Sequence, residues 1–414
     1  MQLVTIKMLE VLSRASFTIG AIYLLPTNQA GQFGLTSTLI GLFAFAFGWE
    51  RHLDLQRRLA GSDAALFDQA VRQLLPFWGL NYVLMAPLLV LLLTYLATAS
   101  LALAGLAVVI AIGEQVANST YNLSVVERRY VPLVLIVAIR SILLVVTLVA
   151  ILNFSPHMLR VDVILAIWAI GAALSVLALA IGWHLIQCSQ STPSEKWNSE
   201  SSAFHSSLFG QHRASWTHFV TGTVAVLVLQ IDRLIVGTLL PHDQVGVYFR
   251  HVVAVSFAYQ FFNIMSFNRN ISLIIQYSRS DSIRHATRII RRELKFVFVS
   301  VLACFASMIL FDFLTLDALS ERLQISLSLI ALMLVGALAK IAADFIGILL
   351  NARLLEAQVL KNQIVSFGVG LVLLIIMTKI SGLFGTAGAV VIANSLYLGL
   401  NFAAVRKLVE GSPC

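Results

Sequence analysis

The chain has 414 residues, of which 59% are hydrophobic and only 12% charged, with a mean hydropathy of +0.88. A soluble globular domain carries about 25% charged residues, so water is excluded as the main solvent of this fold. The net charge of +8 would suggest nucleic acid in a soluble protein, but the placement of the cations assigns them to a membrane surface, and no nucleic-acid partner is expected.

An apolar run of about 20 residues crosses about 30 Å of hydrocarbon as a helix. Taken in chain order, the predicted crossings are Leu3 to Leu25, Gly34 to His52, Leu74 to Ala97, Leu101 to Asn122, Val131 to Asn153 and Val163 to Gln187. A second set follows: Ser215 to Leu239, Val247 to Phe267, Phe296 to Leu316, Ile325 to Leu350, Ile364 to Lys379 and Gly385 to Val405. The first run is too long for a signal-peptide core and has no small-residue cleavage site, so it is expected to be a retained helix. The fold class is therefore an all-α integral membrane protein of about 12 transmembrane helices.

Between the two sets, Ser189 to Ser207 holds eight serines and Pro193 with no apolar run, the composition of a flexible linker. Residues 1-187 are expected to form one six-helix lobe, 188-211 a cytoplasmic Ser-rich linker and 212-414 a second lobe. A polar stretch from Ser278 to Lys295 places Ile283, Ile290 and Leu294 at helical spacing among Arg284, Arg288, Arg291, Arg292 and Lys295. That pattern predicts an interfacial helix on the cytoplasmic leaflet, touching anionic membrane lipids.

Cytoplasmic loops retain positive charge. One alternate set of connections, with the tail, carries Arg51, Arg57, Arg58, Arg72, Arg128, Arg129, Lys196, Arg213, Arg269, Arg279, Arg284, Arg288, Arg291, Arg292, Lys295, Arg353, Lys361, Arg406 and Lys407. The other carries Arg160, Arg322 and Lys379. Nineteen against three predicts a multi-pass protein with both termini cytoplasmic. Cys188, Cys304 and Cys414 are far apart and form no C-x-x-C pair, so neither a disulfide framework nor a metal site is signalled.

The most specific pattern is a repeat. Leu24-Leu25-Pro26-Thr27-Asn28-Gln29-Ala30-Gly31-Gln32-Phe33 returns as Leu239-Leu240-Pro241-His242-Asp243-Gln244-Val245-Gly246-Val247-Tyr248, with both leucines, the proline, the glutamine and the glycine shared. Each copy follows the first helix of a lobe, so the lobes have the same topology. They are expected to be related by a pseudo-two-fold axis along the membrane normal, with any substrate site in the cleft between them.

The stretch from Asp232-Arg233 through Gly237, Pro241 and Gly246 to Tyr248 resembles the seventh-helix signature of the multidrug/oligosaccharidyl-lipid/polysaccharide (MOP) exporter superfamily, in its polysaccharide-transporter branch of Wzx-type flippases. The turn from Leu25 to Phe33 is similar to the matching first-lobe turn, with Thr27-Asn28 where an acidic residue is common. Gly382-Leu383-Phe384-Gly385-Thr386-Ala387-Gly388-Ala389 is similar to that family's entry to the last helix. The resemblance implies a passenger made of an oligosaccharide joined through pyrophosphate to a polyprenyl lipid, carried across a bacterial cytoplasmic (inner) membrane. It also implies possible contact with other polysaccharide-assembly proteins, possible H+ or Na+ coupling, no cofactor and no enzymatic activity.

Charges at membrane depth carry the site expectations, because an Arg, Lys or Asp at a helix centre costs about 2.5–3.5 kcal/mol on insertion scales. Arg14, Arg140 and Lys340 lie near the midplane; Asp232 and Arg233 lie about two turns inside their loop, and Arg250 about one turn. Arg14, Arg140, Arg233, Arg250 and Lys340 are the substrate-binding candidates, since a guanidinium meets phosphate oxygens in bidentate fashion. Asp232, Asp344 and Glu114 are the candidates for ion coupling. Competing structural readings stay open: Arg14 or Arg140 paired with Glu114 or Asp162, Lys340 cancelled by Asp344 one turn on, and Arg250 snorkelling to the outer headgroups. Glu114, Asn118 and Asn122 form a polar stripe that either lines a water-filled cleft or packs against the arginines.

Two other functions compete with this one. A cation-coupled multidrug exporter of the same superfamily would need an acidic, aromatic cavity, whereas the central charges here lean basic. A membrane enzyme of polysaccharide assembly would present a long external loop, whereas the external connections are short, and no nucleophile triad or metal cluster is apparent.

Overall fold

The apolar runs fold as helices because each backbone N–H and C=O must be satisfied internally where no water reaches. The computed structural model describes residues 2–49, 51, 64–188, 208–262, 266, 268–279, 283–314 and 326–410. Of the expected Ser-rich linker, residues 189–207 lie outside them. Among the described residues every regular element is helical: α1 (Gln2–Leu24), α2 (Thr27–Gly48), α3 (Ala64–Leu96), α4 (Leu101–Val126), α5 (Val131–Phe154), α6 (Val161–Cys188), α7 (Leu208–Leu239), α8 (His242–Phe262), α9 (Asn268–Arg279), α10 (Ile283–Leu314), α11 (Leu327–Ala352) and α12 (Glu356–Glu410), with single 3-10 turns at Arg128–Tyr130 and Pro156–Met158. Eight of these helices are long and apolar enough to span a membrane.

The chain divides into two compact units, Met1–Gln230 and Ile231–Cys414. The division falls inside α7, whose first turns belong to the first unit. There Phe219 stacks on Trp49 with centroids 3.7 Å apart, and Trp49 caps α2 in the left-handed conformation. Within the first unit α1 packs on α5, and α4 lies against α2, α3 and α6. Within the second, α11 packs against α8 and against α12.

Both copies of the repeat take one geometry. Helices α1 and α7 end at Leu24 and Leu239, and α2 and α8 begin at Thr27 and His242. The non-helical Pro26 and Pro241 each offer a carbonyl to the amide four residues on, Ala30 at 2.8 Å and Val245 at 3.1 Å. Phe33 and Tyr248, the last residues of the repeat, are both buried.

Two predicted crossings share α12. Gly382 interrupts it with φ 56° and ψ −132°, a backbone region essentially confined to glycine. Asn362 bonds Asn401 at 2.9 Å and the Thr378 and Thr386 hydroxyls meet at 2.8 Å, pairs nearly symmetric about Gly382. The halves therefore fold back on each other as an antiparallel hairpin.

The predicted interfacial helix differs from what is observed. Ser278 and Arg279 close α9, while Ile290 and Leu294 continue without a break into the run predicted to cross from Phe296, as α10. No Gly or Pro separates them, so nothing stops the helix. Arg288, Arg291, Arg292 and Lys295 stay exposed, and Ile290 packs in the core with Val297 and Phe345.

Large apolar side chains cover the outside as well as the core. On α6 Ile170, Leu174, Leu177 and Ile181 face outward while Trp168, Ala172 and Ser175 face inward. Apolar side chains on the outside and polar groups within fit hydrocarbon as the solvent. The protein is a multi-pass membrane protein.

Candidate functional site

Small residues let α4 and α6 approach closely, which brings the middles of four helices together in the first unit. Glu114 on α4 is 1% exposed and sits between two arginines. Arg14 Nη1 on α1 lies 2.7 Å from its Oε2, and Arg140 Nη2 on α5 donates to its Oε1 at 3.0 Å. Trp168 on α6 donates its indole N–H to the same Oε1, also at 3.0 Å. Phe17 and Phe33 pack on the Trp168 ring, so the indole is held by apolar contacts and aimed by its one polar atom.

Two cations thus share one carboxylate, and the cluster keeps a surplus of donors. The Arg140 side chain is 4% exposed, and its Nε and Nη1 are buried with no hydrogen-bond partner. The Arg14 side chain is 32% exposed. Asn118, one turn along α4 from Glu114, is exposed, while Asn122 is half-buried. The polar stripe of α4 therefore runs from a buried carboxylate to an open face. On α1 the same face carries Lys7, which pairs with the buried Glu10 at 2.6 Å and lies over the Tyr121 ring, 4.7 Å from its centroid. Asp162, the other acid considered as a partner, bonds Arg160 on the surface at 3.2 Å.

The second unit holds two further groupings. Tyr248 donates its hydroxyl to Asp232 Oδ2, and the buried Asp232 Oδ1 has no partner. Arg233 points elsewhere, its Nη2 donating to Ser256 at 2.7 Å, as expected of neighbours about 100° apart on a helix. Lys340 pairs with Asp344, which also accepts the Tyr259 hydroxyl at 2.8 Å; the ammonium lies 5.5 Å from the Tyr397 ring centre. Arg250 is buried. Of the residues singled out from sequence, Arg14, Arg140 and Glu114 form one cluster, the Asp232 and Arg233 side chains bond different groups, and Lys340 with Asp344 forms a separate pair.

Sequence reasoning missed Lys7, Glu10, Trp168, Tyr248 and Tyr259. Lys7 and Glu10 carried a local signal, an i, i+3 pair one and two turns before Arg14. Trp168 and Tyr259 carried a weaker one, a polar tip in an apolar helix that must find a partner when buried.

No protein-family model matches the sequence, and no curated protein matches it by sequence. Solved structures match over nearly the whole chain. Lipid II flippase MurJ, in an inward closed conformation, superposes with a TM-score of 0.67 at 11% identity, over 97% of this chain and 87% of its own. The inward-facing conformation of a multidrug resistance MATE family transporter of the MOP superfamily gives 0.67 at 14% identity, over 98% and 96%. An outward-facing structure of such a transporter gives 0.62 at 14% identity, over 99% and 95%. The chain shares the fold of these transporters. At these identities the likeness concerns the fold alone, and both kinds of MOP neighbour are transporters rather than enzymes.

Proposed function

We propose that the protein is a flippase that moves a polyprenyl-pyrophosphate-linked oligosaccharide from the cytoplasmic to the outer face of a bacterial inner membrane by alternating access, with both termini in the cytoplasm. In this reading residues 1-187 and 212-414 are the two lobes, Arg14 and Arg140 bind the pyrophosphate, and Arg233, Arg250 and Lys340 contribute further positive charge. Asp232, with Asp344 and Glu114 behind it, is the candidate for H+ or Na+ coupling. No bond is made or broken, and no cofactor enters.

The observation that carries this reading is the shared carboxylate. One Glu114 neutralises only one of two arginines at membrane depth, and Arg140 retains buried donors without acceptors. Such a site lacks negative charge and acceptor oxygens, and a pyrophosphate supplies both. The lipid-linked cargo named for MurJ agrees with this chemistry. The likeness to multidrug transporters favours a second reading, export of drug-like cations, to which a cation surplus is electrostatically opposed.

The test is export of a lipid-linked glycan by a complementation strain, normalised to protein level in the membrane. Arg14→Gln and Arg140→Gln are each expected to lower export at least tenfold. Lysine at either position keeps the charge but loses the fork, and should give an intermediate loss. Normal export by both Gln variants would overturn the binding role, and ethidium efflux by the wild type that glycan precursor does not inhibit would transfer the protein to the drug-exporter reading.

A further inference from the structure

The two oxygens of Glu114 are held unequally, and this carries the flippase reading one step further. We propose that Glu114 is a resident anion occupying the place of the substrate's phosphate on Arg14, and that the substrate loads by taking Arg14 from it. The inference rests on the flippase reading above.

On the buried side Oε1 accepts from both Arg140 and Trp168, each at 3.0 Å. On the other side Oε2 faces Arg14 alone among the described residues, as an ion pair at 2.7 Å, and has no hydrogen-bond partner. The Arg14 side chain is also the accessible one, 32% exposed against 4% for Arg140. A ligand arriving from the open face of this unit therefore meets Arg14 first. Removing Arg14 from Oε2 leaves Glu114 still paired with Arg140 and still bonded to the indole, a neutral, hydrogen-bonded remainder. The exchange breaks one contact and keeps two.

Charge explains why the exchange favours a phosphate. Before loading, the three groups sum to one positive charge; after it, that charge is carried by Arg14 alone and faces the ligand. A phosphate presents several anionic oxygens to the guanidinium fork, whereas Oε2 presents one. An uncharged or cationic amphiphile has nothing to offer Arg14 in place of the carboxylate. Glu114 thus acts as a specificity-determining residue: it keeps Arg14 from standing bare at membrane depth, and it sets a threshold that only a strong anion passes. Asn118, exposed one turn further along α4, and Lys7, two turns back along α1, lie along the same faces and extend the polar surface beyond Arg14.

The test uses the purified full chain in detergent with farnesyl diphosphate as probe and farnesol as the uncharged control, followed by calorimetric titration. Glu114→Gln removes the competing charge and is expected to bind farnesyl diphosphate about tenfold more tightly than wild type. Glu114→Asp keeps the charge, protecting the fold, but is one methylene too short to span both arginines, and should bind a few-fold more tightly. Adding Arg14→Gln should abolish binding in either background. A folded Glu114→Asp or Glu114→Gln protein that binds the probe as wild type does, or more weakly, overturns the exchange while leaving the flippase reading standing. Failure of the wild type and both variants to bind farnesyl diphosphate above farnesol overturns the flippase reading itself. Should Glu114→Gln not reach the membrane, Glu114→Asp decides alone.

Discussion

The contact that brings α4 against α6 sets the position of Glu114, and Gly113→Ala probes it. A Cβ at Gly113 would lie 2.7 Å from Ala172 Cβ and 3.3 Å from Ala172 Cα, well inside the 3.5–4.0 Å at which carbon atoms attract. Ala172 is fully buried, and its methyl has no rotamer to escape into, so the helices must separate. Overpacking of this kind costs about 1–3 kcal/mol, against a gain of about 1 kcal/mol from replacing glycine within a helix. The net loss for the single variant is thus about 0–2 kcal/mol. The sharper quantity is the coupling with Ala172→Gly, which vacates the space from the other side. Intrinsic helix preferences add separately in the cycle and cancel, leaving a coupling of about 1–3 kcal/mol. For a unit of this size 1 kcal/mol shifts Tm by roughly 2–4 °C, so the double variant should melt roughly 2–12 °C above the additive expectation. Heating detergent-solubilised protein and following the monodisperse fraction by size exclusion measures the four corners of the cycle. Strictly additive shifts would refute the close approach, and with it the reason Glu114 reaches Trp168.

Three further outcomes are expected. Gly382→Ala forces a Cβ into φ 56°, ψ −132°, a strain of about 1–3 kcal/mol, and should reduce thermal stability; an unchanged Tm would remove Gly382 as the hinge of the α12 hairpin. Single cysteines at Thr27, Ser155 and His242, in a chain stripped of its native three, should react with a membrane-impermeant thiol reagent on intact cells, whereas one at Ser280 should not; the opposite pattern would invert the topology. Asp232→Asn removes the charge of a buried carboxylate that has one oxygen on Tyr248 and one unpartnered; transport by this variant with unchanged pH and sodium dependence would remove Asp232 from the coupling role.

The helices were legible because hydrocarbon imposes one rule along the chain and a loss of hydropathy marks most departures from it, although α1, α8 and α10 are not among the eight described helices long and apolar enough to span a membrane. The repeat was legible for a different reason. Proline at Pro26 and Pro241 fixes φ and lacks the N–H that a continuing helix would use, so the two copies enforce the same helix end, turn and helix start. Where hydropathy and helix propensity disagree, the sequence misleads. The segment before Phe296 is polar enough to leave the membrane yet contains nothing that ends a helix, and it continues into α10. The start of α3 at Ala64, ten residues before its apolar run, follows the same logic, since residues 64–73 contain neither Gly nor Pro.

The charge cluster is the instructive case, because insertion cost tells which residues need partners but not where the partners are. Local spacing resolves two pairs at once, Arg160 with Asp162 and Lys340 with Asp344, each within four residues; Glu10 lies within a turn of both Lys7 and Arg14, and the structure gives it to Lys7. Each is served by its own helix turn or its own loop, and once served it exerts little pull on distant elements. Of the first-unit residues that the sequence places at membrane depth, Arg14, Arg140 and Glu114 are what remains after this local matching, two cations and one acid on three different helices. None is cheap to leave alone in hydrocarbon, and among the described residues Glu114 is the acid that the fold brings to both arginines. Local pairs are thus subtracted first, and the residue of the subtraction is the candidate site. Applied to the second unit, the same subtraction removes Lys340 with Asp344 and leaves Asp232 without a cation one turn away on α7. Its observed partner is instead the Tyr248 hydroxyl, the last residue of the repeat, at the position where the first unit has Phe33 and no hydroxyl to give.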